Sequence, residues 1–597
     1  MAEPKLVVDG TSVWDGGFNS SSSPHTIGVN QYVLGVNINI PDTNGGICNR
    51  YGYRHATIIF DNPNQEEIYR TGNVQGEGWY YDGYGVRYLC SVNGWVFEFT
   101  RISSFVFKGE IRNVGNQNNP RNTSVWISRI PFGAIINDGE SSAIYLTRNI
   151  CRRTRPKDRE IGAGMMGVYV QNRFFYVLPD GRNIYASTIN DPISLLEAQV
   201  DNIYGFISPE DEDSITAIGR QKTIGRDALG GNLSFSTNRN TYSVDVRGPR
   251  TQWGATAGKG AGYVENSVPD IGAVSAYSYE SFNGNIYFRN SKLGLVSTKQ
   301  LQSQFSNIDS YYSHSIEANG IFNNDSKIFL SKCYTRGFES KLYTTVAPQL
   351  KDGFVIWNGL IVYAPDIYYS NSEKAQRRYE SIHTGIRPWC VTVSDDKMNG
   401  EEMLIHSHDF DGVNRIYILD KYLDFDIDKN GKKKEIESKI LTRCYSHNDD
   451  FGLKQTTRAF YSLSSIPRDL QIKIFTRPGE TGNFVEQWSH KHIVKSCSMN
   501  KTPLGKCFNP VAVHPENREL VNVKNDPDPK CPCSSNNPGN QYFTRQDLFE
   551  FKGAFTLRRW VRVAELKGQD TKVKCEEKLE VINKYNEFSI YGYKLSQ

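Results

Sequence analysis

One stretch of this sequence carries an oxygen-rich loop able to wrap a hard cation. Asp426, Asp428, Asn430, Gly431 and Glu437 satisfy the pattern D-x-[DN]-x-[DN]-G-x5-E at every defined position. The carboxylates and the Asn430 amide would supply the ligands, Gly431 the sharp turn and Glu437 a bidentate carboxylate, so a structural calcium ion is one reading. The competing reading is an ordinary Asn-Gly hairpin or interdomain linker. The flanks RIYILDKYLDF and ESKILTRCY read as strands, and the lysines at 432, 433 and 434 would oppose a bound divalent ion.

Two further groups have metal-ligand chemistry. His406 and His408 lie two apart on an expected strand, hence on one face, with Asp409 and Asp411 following. No third ligand can be nominated for them, and a surface strand is the alternative. Cys497, Cys507, Cys531 and Cys533, with His490, His492 and His514, are rich in donors but lack the paired spacing of structural zinc sites. They fit zinc, a stapling disulfide or a plain insertion loop.

Nucleotide and glycan chemistry find no support in the motifs. Between Gly254 and Gly258 there are three residues where a phosphate loop needs four, and Lys259 is followed by Gly260 rather than Ser or Thr. Ser243, Asp245, Gly248, Thr251 and Trp253 have the residue types of a sialidase Asp-box with the wrong spacing, and the pattern does not repeat. No catalytic residue is nominated. A basic cluster of Arg148, Arg152, Arg153, Arg155, Lys157 and Arg159 could face a phosphate backbone, dock an acidic partner or be simply solvated.

The elements that must position these residues are β-strands. Aromatics reach 12%, with 34 Tyr and 30 Phe, and 51 Gly with 24 Pro favour many short elements joined by tight turns. Six hairpins alternate bulky and polar residues about an Asn, Asp or Gly turn: Arg87 to Phe99, Asn172 to Pro192, Gly231 to Val246, Phe282 to Thr298, Phe354 to Asp366 and Leu404 to Leu419. From Asp180 onward their turns fall roughly 50 to 70 residues apart, the spacing of four-stranded blades with long loops, which predicts a degenerate β-propeller of about five or six blades. The expected class is all-β, in three parts: an extended N-terminal arm over 1–60, the propeller over 61–435, and a C-terminal β-sandwich-like platform over 436–597 with a cysteine-containing insertion near 496–541. The best helical signal is Asp191 to Ile203.

At 69 Lys plus Arg against 65 Asp plus Glu the net charge is +4, too near balance for wholesale nucleic-acid coating. No window approaches a membrane span and the first residues, MAEPKLVVDG, do not read as a secretion signal, so a cytosolic product with reduced thiols is expected.

Trp14-Asp-Gly16-Gly17-Phe-Asn19, then Pro24, Asn30-Gln31, Asn37, Gly46 and Arg50-Tyr-Gly52-Tyr-Arg54 resemble the opening of tail nozzle (tail tube) proteins of short-tailed, podovirus-like or crAss-like bacteriophages. Asn172 to Pro192 resembles that family's blade, an Asn-Arg hairpin followed by a Ser and an Asn-Asp-Pro. The likeness covers about the first 300 residues. It implies a structural virion protein without catalytic residues, made in the bacterial host cytoplasm and placed in the virion tail. Such a protein would form a homo-oligomeric, hexameric ring below the portal adaptor or tail hub. The ring would dock fibres or spikes, and conduct and gate DNA in transient passage during ejection. The rival classes are a receptor- or glycan-binding tail protein and a propeller-type carbohydrate-active enzyme.

Overall fold

A computed structural model describes residues 6–20, 23–41, 46–112, 119, 123–197, 207–209, 213–221, 231–247, 250, 253, 270–291, 294–301, 304–309, 329–367, 376–396, 400–447, 454–465, 469–478, 483–492, 544–566 and 589–592. The fold is all-β. Its centre is a ring of small antiparallel sheets, each entered by its innermost strand. These first strands are Val74–Tyr81, Trp126–Ile130, Gly167–Val170, Ile215–Gln221, Glu280–Phe282, Thr335–Phe338 and Pro388–Asp396. Each packs on the first strand of the next sheet, and the last packs on the first, so the ring closes on itself. This is a β-propeller of seven blades, numbered here in chain order.

The spacing of turns had predicted five or six. Five of the expected hairpins are those of blades 1, 3, 4, 5 and 7; the sixth, Phe354 to Asp366, is instead one continuous strand, Phe354–Ile367, and blade 6 turns before it at Asp352-Gly353 onto Lys341–Lys351. Blade 2 is missed altogether: its strands Trp126–Ile130 and Gly133–Asn137 turn at Pro131-Phe132 without the usual Asn or Gly. Phe132 adopts the left-handed conformation there at φ +58°.

Closure uses a strand from before blade 1. Gly52–Phe60 pairs antiparallel with Asn414–Asp420 as the outer strand of blade 7, and parallel with Val106–Ile111 at the edge of blade 1. Middle strands are sandwiched between neighbouring blades and lose their polar face. All five residues of Gly133–Asn137 and of Arg173–Val177 are buried. Glycines on the inner strands let blades approach: Gly76 lies against the Val125 carbonyl of the next blade, Gly78 against Ile127 and Gly219 against Tyr279.

The sheet of blade 6 does not stop at its own outer strand. Gln376–His383 continues through Gly17–Phe18 and Gln31–Val36 into Glu437–Tyr445, Arg545–Gly553, Leu470–Pro478 and Val485–His492. A second sheet, in the order Ile38–Asn39, Ile47–Asn49, Thr556–Leu566, Lys454–Ser465 and Ser589–Gly592, with Leu6–Thr11 also on Thr556–Leu566, shares a core with it. Trp14, Tyr32, Tyr461, Phe549 and Trp560 fill that core, with Phe549 edge-on to Trp560 at 4.7 Å. Leu470, Ile472 and Ile474 alternate inward along one strand, the period a half-buried strand requires. The N-terminal arm therefore runs in strands through both sheets of the C-terminal unit and joins it to the propeller.

One α-helix, Pro63–Thr71, precedes blade 1. Asn62 caps it by accepting from the Asn64 backbone N–H at 2.9 Å, with Pro63 in the first turn. In the segment from Asp191 to Ile203 the described residues include only a short helical turn at Leu196 and Glu197. The cysteine-bearing insertion and the Gly254 to Gly262 loop lie outside the described residues. No helix among the described residues is long and apolar enough to cross a membrane.

Candidate functional site

The calcium-like loop does not assemble. Asp426 faces Arg50, whose two terminal nitrogens donate to its two oxygens at 2.8 Å each, and it also accepts from the Tyr53 backbone N–H. Asp428 folds back on its own turn, accepting from the N–H groups of Asn430 and Lys432. Asn430 is exposed at the tip, and Glu437 accepts from Lys552 at 3.0 Å on a neighbouring strand. The hairpin of Phe425–Ile427 with Lys433–Glu435 is what the pattern encodes, with Gly431 supplying φ +72°.

The basic cluster divides. Arg152 makes two bonds to Glu160, at 2.8 and 2.7 Å, and Arg153 is drawn inward to Asp138 and the Ser142 carbonyl. Arg152 thus anchors the turn that leads from blade 2 to blade 3, and Arg153 is a tie within blade 2. Arg155 and Lys157 remain exposed on the connecting turn, with Asp158 3.8 Å from Arg155. Arg148 and Arg159 are exposed as well, so four of the six cations still face solvent and only Arg152 and Arg153 are withdrawn from it.

His406 and His408 are not on a surface strand: they are 2% and 4% exposed. Nor do they share a ligand set with the following acids, since Asp409 and Asp411 both pair with Arg415 at 2.7 Å. His408 sits beside the Trp389 ring with its Nδ1 3.0 Å from Asn414, and burial holds it below the usual imidazole range.

His406 belongs to a buried cluster that the sequence reading missed. On blade 1, Glu77 and Cys90 are directly opposite across adjacent strands; on blade 7, Cys390 and His406 are likewise opposite. The two pairs meet where the ring closes. His406 Nε2 is 3.7 Å from Glu77, its Nδ1 is 3.4 Å from the Tyr69 hydroxyl, and its ring lies beside Phe99. The Cys90 thiol interacts with both Cys390 and His406, while Cys390 also faces Glu77. Neither Glu77 oxygen has a donor in good hydrogen-bonding geometry, and burial pushes its carboxyl up to about 7. Burial would raise Cys90 too, but Cys390 and the charge of His406 bring it down to about 6. No signal in the sequence links residues 300 positions apart; only the closure of the ring does.

Other chemistry-bearing side chains are tied up locally. Asp245 of the Asp-box-like stretch pairs with Arg247, and Trp253 is buried against Phe175. The innermost strands carry both signs: Arg129 stacks on Trp79 at 4.0 Å, and Arg336 lies 3.7 Å from Glu280. Among the described residues no group of three or more His, Cys, Asp or Glu side chains is arranged to hold a metal ion.

No family model matches the sequence, and no curated protein matches it. Among solved structures, the chain is similar to the computationally designed Ika8 protein at 8% identity and TM-score 0.31, covering 61% of this chain and 99% of that one. It is similar to a chain of the mitotic checkpoint complex at 7% identity and TM-score 0.34, over 57% and 86%. A third likeness is to the structure of BBS1N in complex with ARL6DN, at 9% identity and TM-score 0.34, over 62% and 97%. Likenesses this loose say nothing of function, and the seven-bladed ring rests on this chain's own strand pairing.

Proposed function

We propose that the chain is a structural subunit of a short-tailed phage tail, a nozzle protein that assembles into a ring below the portal adaptor and conducts and gates DNA during ejection. The observation that carries this reading is the joint between propeller and sandwich. Arg50-Tyr-Gly52-Tyr-Arg54, one of the stretches that resembles nozzle proteins, lies there. Arg50 is clamped on Asp426, and Arg54 lies 3.1 Å from Asp420. Gly52 is pressed so closely on the Phe425 carbonyl that no side chain would fit.

A continuous sheet from blade 6 into the sandwich makes propeller, arm and platform one hydrogen-bonded body. A rigid wedge of this kind suits a ring whose neighbours must fit face to opposite face. The near-balanced charge suits a conduit that must release what passes through it.

The test is the mass of the protein in solution, alone and with the virion's tail-adaptor protein, followed by negative-stain imaging. A six-fold ring with an axial opening, formed alone or with the adaptor, is the expected result; a monomer that ignores the adaptor overturns it. A second reading, a receptor- or glycan-binding tail protein, draws on Tyr84 and Phe132, 77% and 64% exposed. Binding of a glycan by the monomer, lost in the Tyr84→Ala variant, would favour that reading instead.

A further inference from the structure

We propose that Cys90 and Cys390 are a redox pair that closes the propeller covalently, a disulfide modification site at the seam between blade 7 and blade 1. The geometry brings the two thiols together where the ring closes. Glu77 and Cys90 are register partners on blade 1, and Cys390 and His406 on blade 7, but the contacts are exchanged across the seam. Cys90 meets His406, Cys390 meets Glu77, and the two sulfurs face one another. All four side chains are buried in the aromatic core that holds Tyr69, Phe97 and Phe99.

The co-reactant is a small disulfide such as glutathione disulfide. Cys90, exposed while the seam is open, loses its proton to solvent, attacks one glutathione sulfur and expels the other glutathione as a thiolate. As the seam closes, Cys390 attacks the Cys90 sulfur of the mixed disulfide and passes its proton to the second glutathione as that leaves. The two protons end on the two glutathiones, the first by way of solvent; the protein is oxidised by two electrons and the glutathione disulfide is reduced by two. Because the seam is closed over these groups, exchange occurs while it is open, before the last blade docks or when it parts. The bond then ties the late strands of blade 7 to blade 1 and closes a loop that runs from Cys90 to Cys390 through the other blades.

The experiment treats the full-length protein with rising ratios of glutathione disulfide to glutathione during refolding and after it. Remaining thiols are alkylated under denaturing conditions, the unreduced digest is mapped by mass spectrometry, and Tm is followed in parallel. The expected result is one peptide bearing Cys90 joined to one bearing Cys390, with a Tm higher by a few degrees that dithiothreitol reverses. Cys90→Ser and Cys390→Ser should each lose the joined peptide and the Tm gain. Should either variant fail to fold, the map of the unaltered protein still decides. Two outcomes overturn the proposal: both thiols alkylated after oxidation during refolding, or zinc retained stoichiometrically with both thiols protected until a chelator removes it, which would make the cluster a metal centre.

Discussion

Arg50 holds Asp426 through two parallel hydrogen bonds of 2.8 Å across the joint between propeller and sandwich, while its guanidinium lies 4.0 Å above the Tyr53 ring. Arg50 is 2% exposed and also donates to the Asn37 side chain and the Tyr51 carbonyl. Removing it strands a carboxylate in a largely dry site, so Arg50→Ala should cost about 3–5 kcal/mol in denaturant unfolding. Arg50→Lys should recover only part, because an ammonium cannot span both oxygens. The same clamp commits Asp426, so calcium or a chelator should leave the Tm unmoved; a calcium-dependent rise would show that a cation displaces Arg50.

Two buried glutamates should give opposite responses to pH. Burial alone would raise Glu380, but Lys341 at 2.6 Å and Arg378 at 3.1 Å outweigh it and hold its carboxyl below the usual 4.5. Its contribution is complete above pH 4.5 and is lost as pH falls through the lower folded value. Unfolding of Glu380→Gln against the parent protein should therefore show a deficit of about 3–5 kcal/mol at neutral pH that shrinks on acidification. Glu77 is held up to about 7 by burial, so its contribution is present below 4.5 and lost as pH rises through 7. Glu77→Gln should accordingly gain on the parent protein as pH rises across that window, and a pH-independent difference would argue against a protonated Glu77.

Gly76 lets blade 2 seat against blade 1. A Cβ there would stand 1.8 Å from the Val125 carbonyl, which is backbone and cannot swing aside. Gly76→Ala should destabilise by about 1–3 kcal/mol as the blades are forced apart. Gly85, with nothing within 4 Å, is the matched control and should tolerate alanine in the same melting assay.

Phe132 turns the blade 2 hairpin in a left-handed conformation while 64% exposed. Phe132→Gly should raise stability by about 1 kcal/mol, measured by chemical denaturation, because the strain of the left-handed backbone disappears and little buried area is lost.

How far the sequence could be read follows from which interactions are local. Alternation and turn chemistry are local, so the hairpins of five blades are legible; Asn358-Gly359 imitates a turn inside the long strand of blade 6, and the blade that turns at Pro131-Phe132 has no turn signal. The short helix is also locally encoded, by Asn62 as cap, Pro63 in the first turn and Glu66 near its start, and it was overlooked among strands. The Asp426 loop had the right letters, but whether Asp426 binds a cation or an arginine depends on Arg50, 376 residues away in sequence. His406 looked like a surface residue because one strand's pattern does not reveal a second sheet lying on its polar face.

The outer strand of blade 7 has a kinetic consequence. Gly52–Phe60 leaves the ribosome before any blade, yet its antiparallel partner Asn414–Asp420 emerges only after all the others. Throughout synthesis the early strand has an unsatisfied edge, and the ring stays open while six blades wait for the seventh. Folding of this chain should therefore be slow and sensitive to concentration, since a waiting edge pairs as readily with a neighbouring nascent chain as with its own distant partner. In a cell making many copies at once, the interval between those two strands is the time in which chaperones matter most.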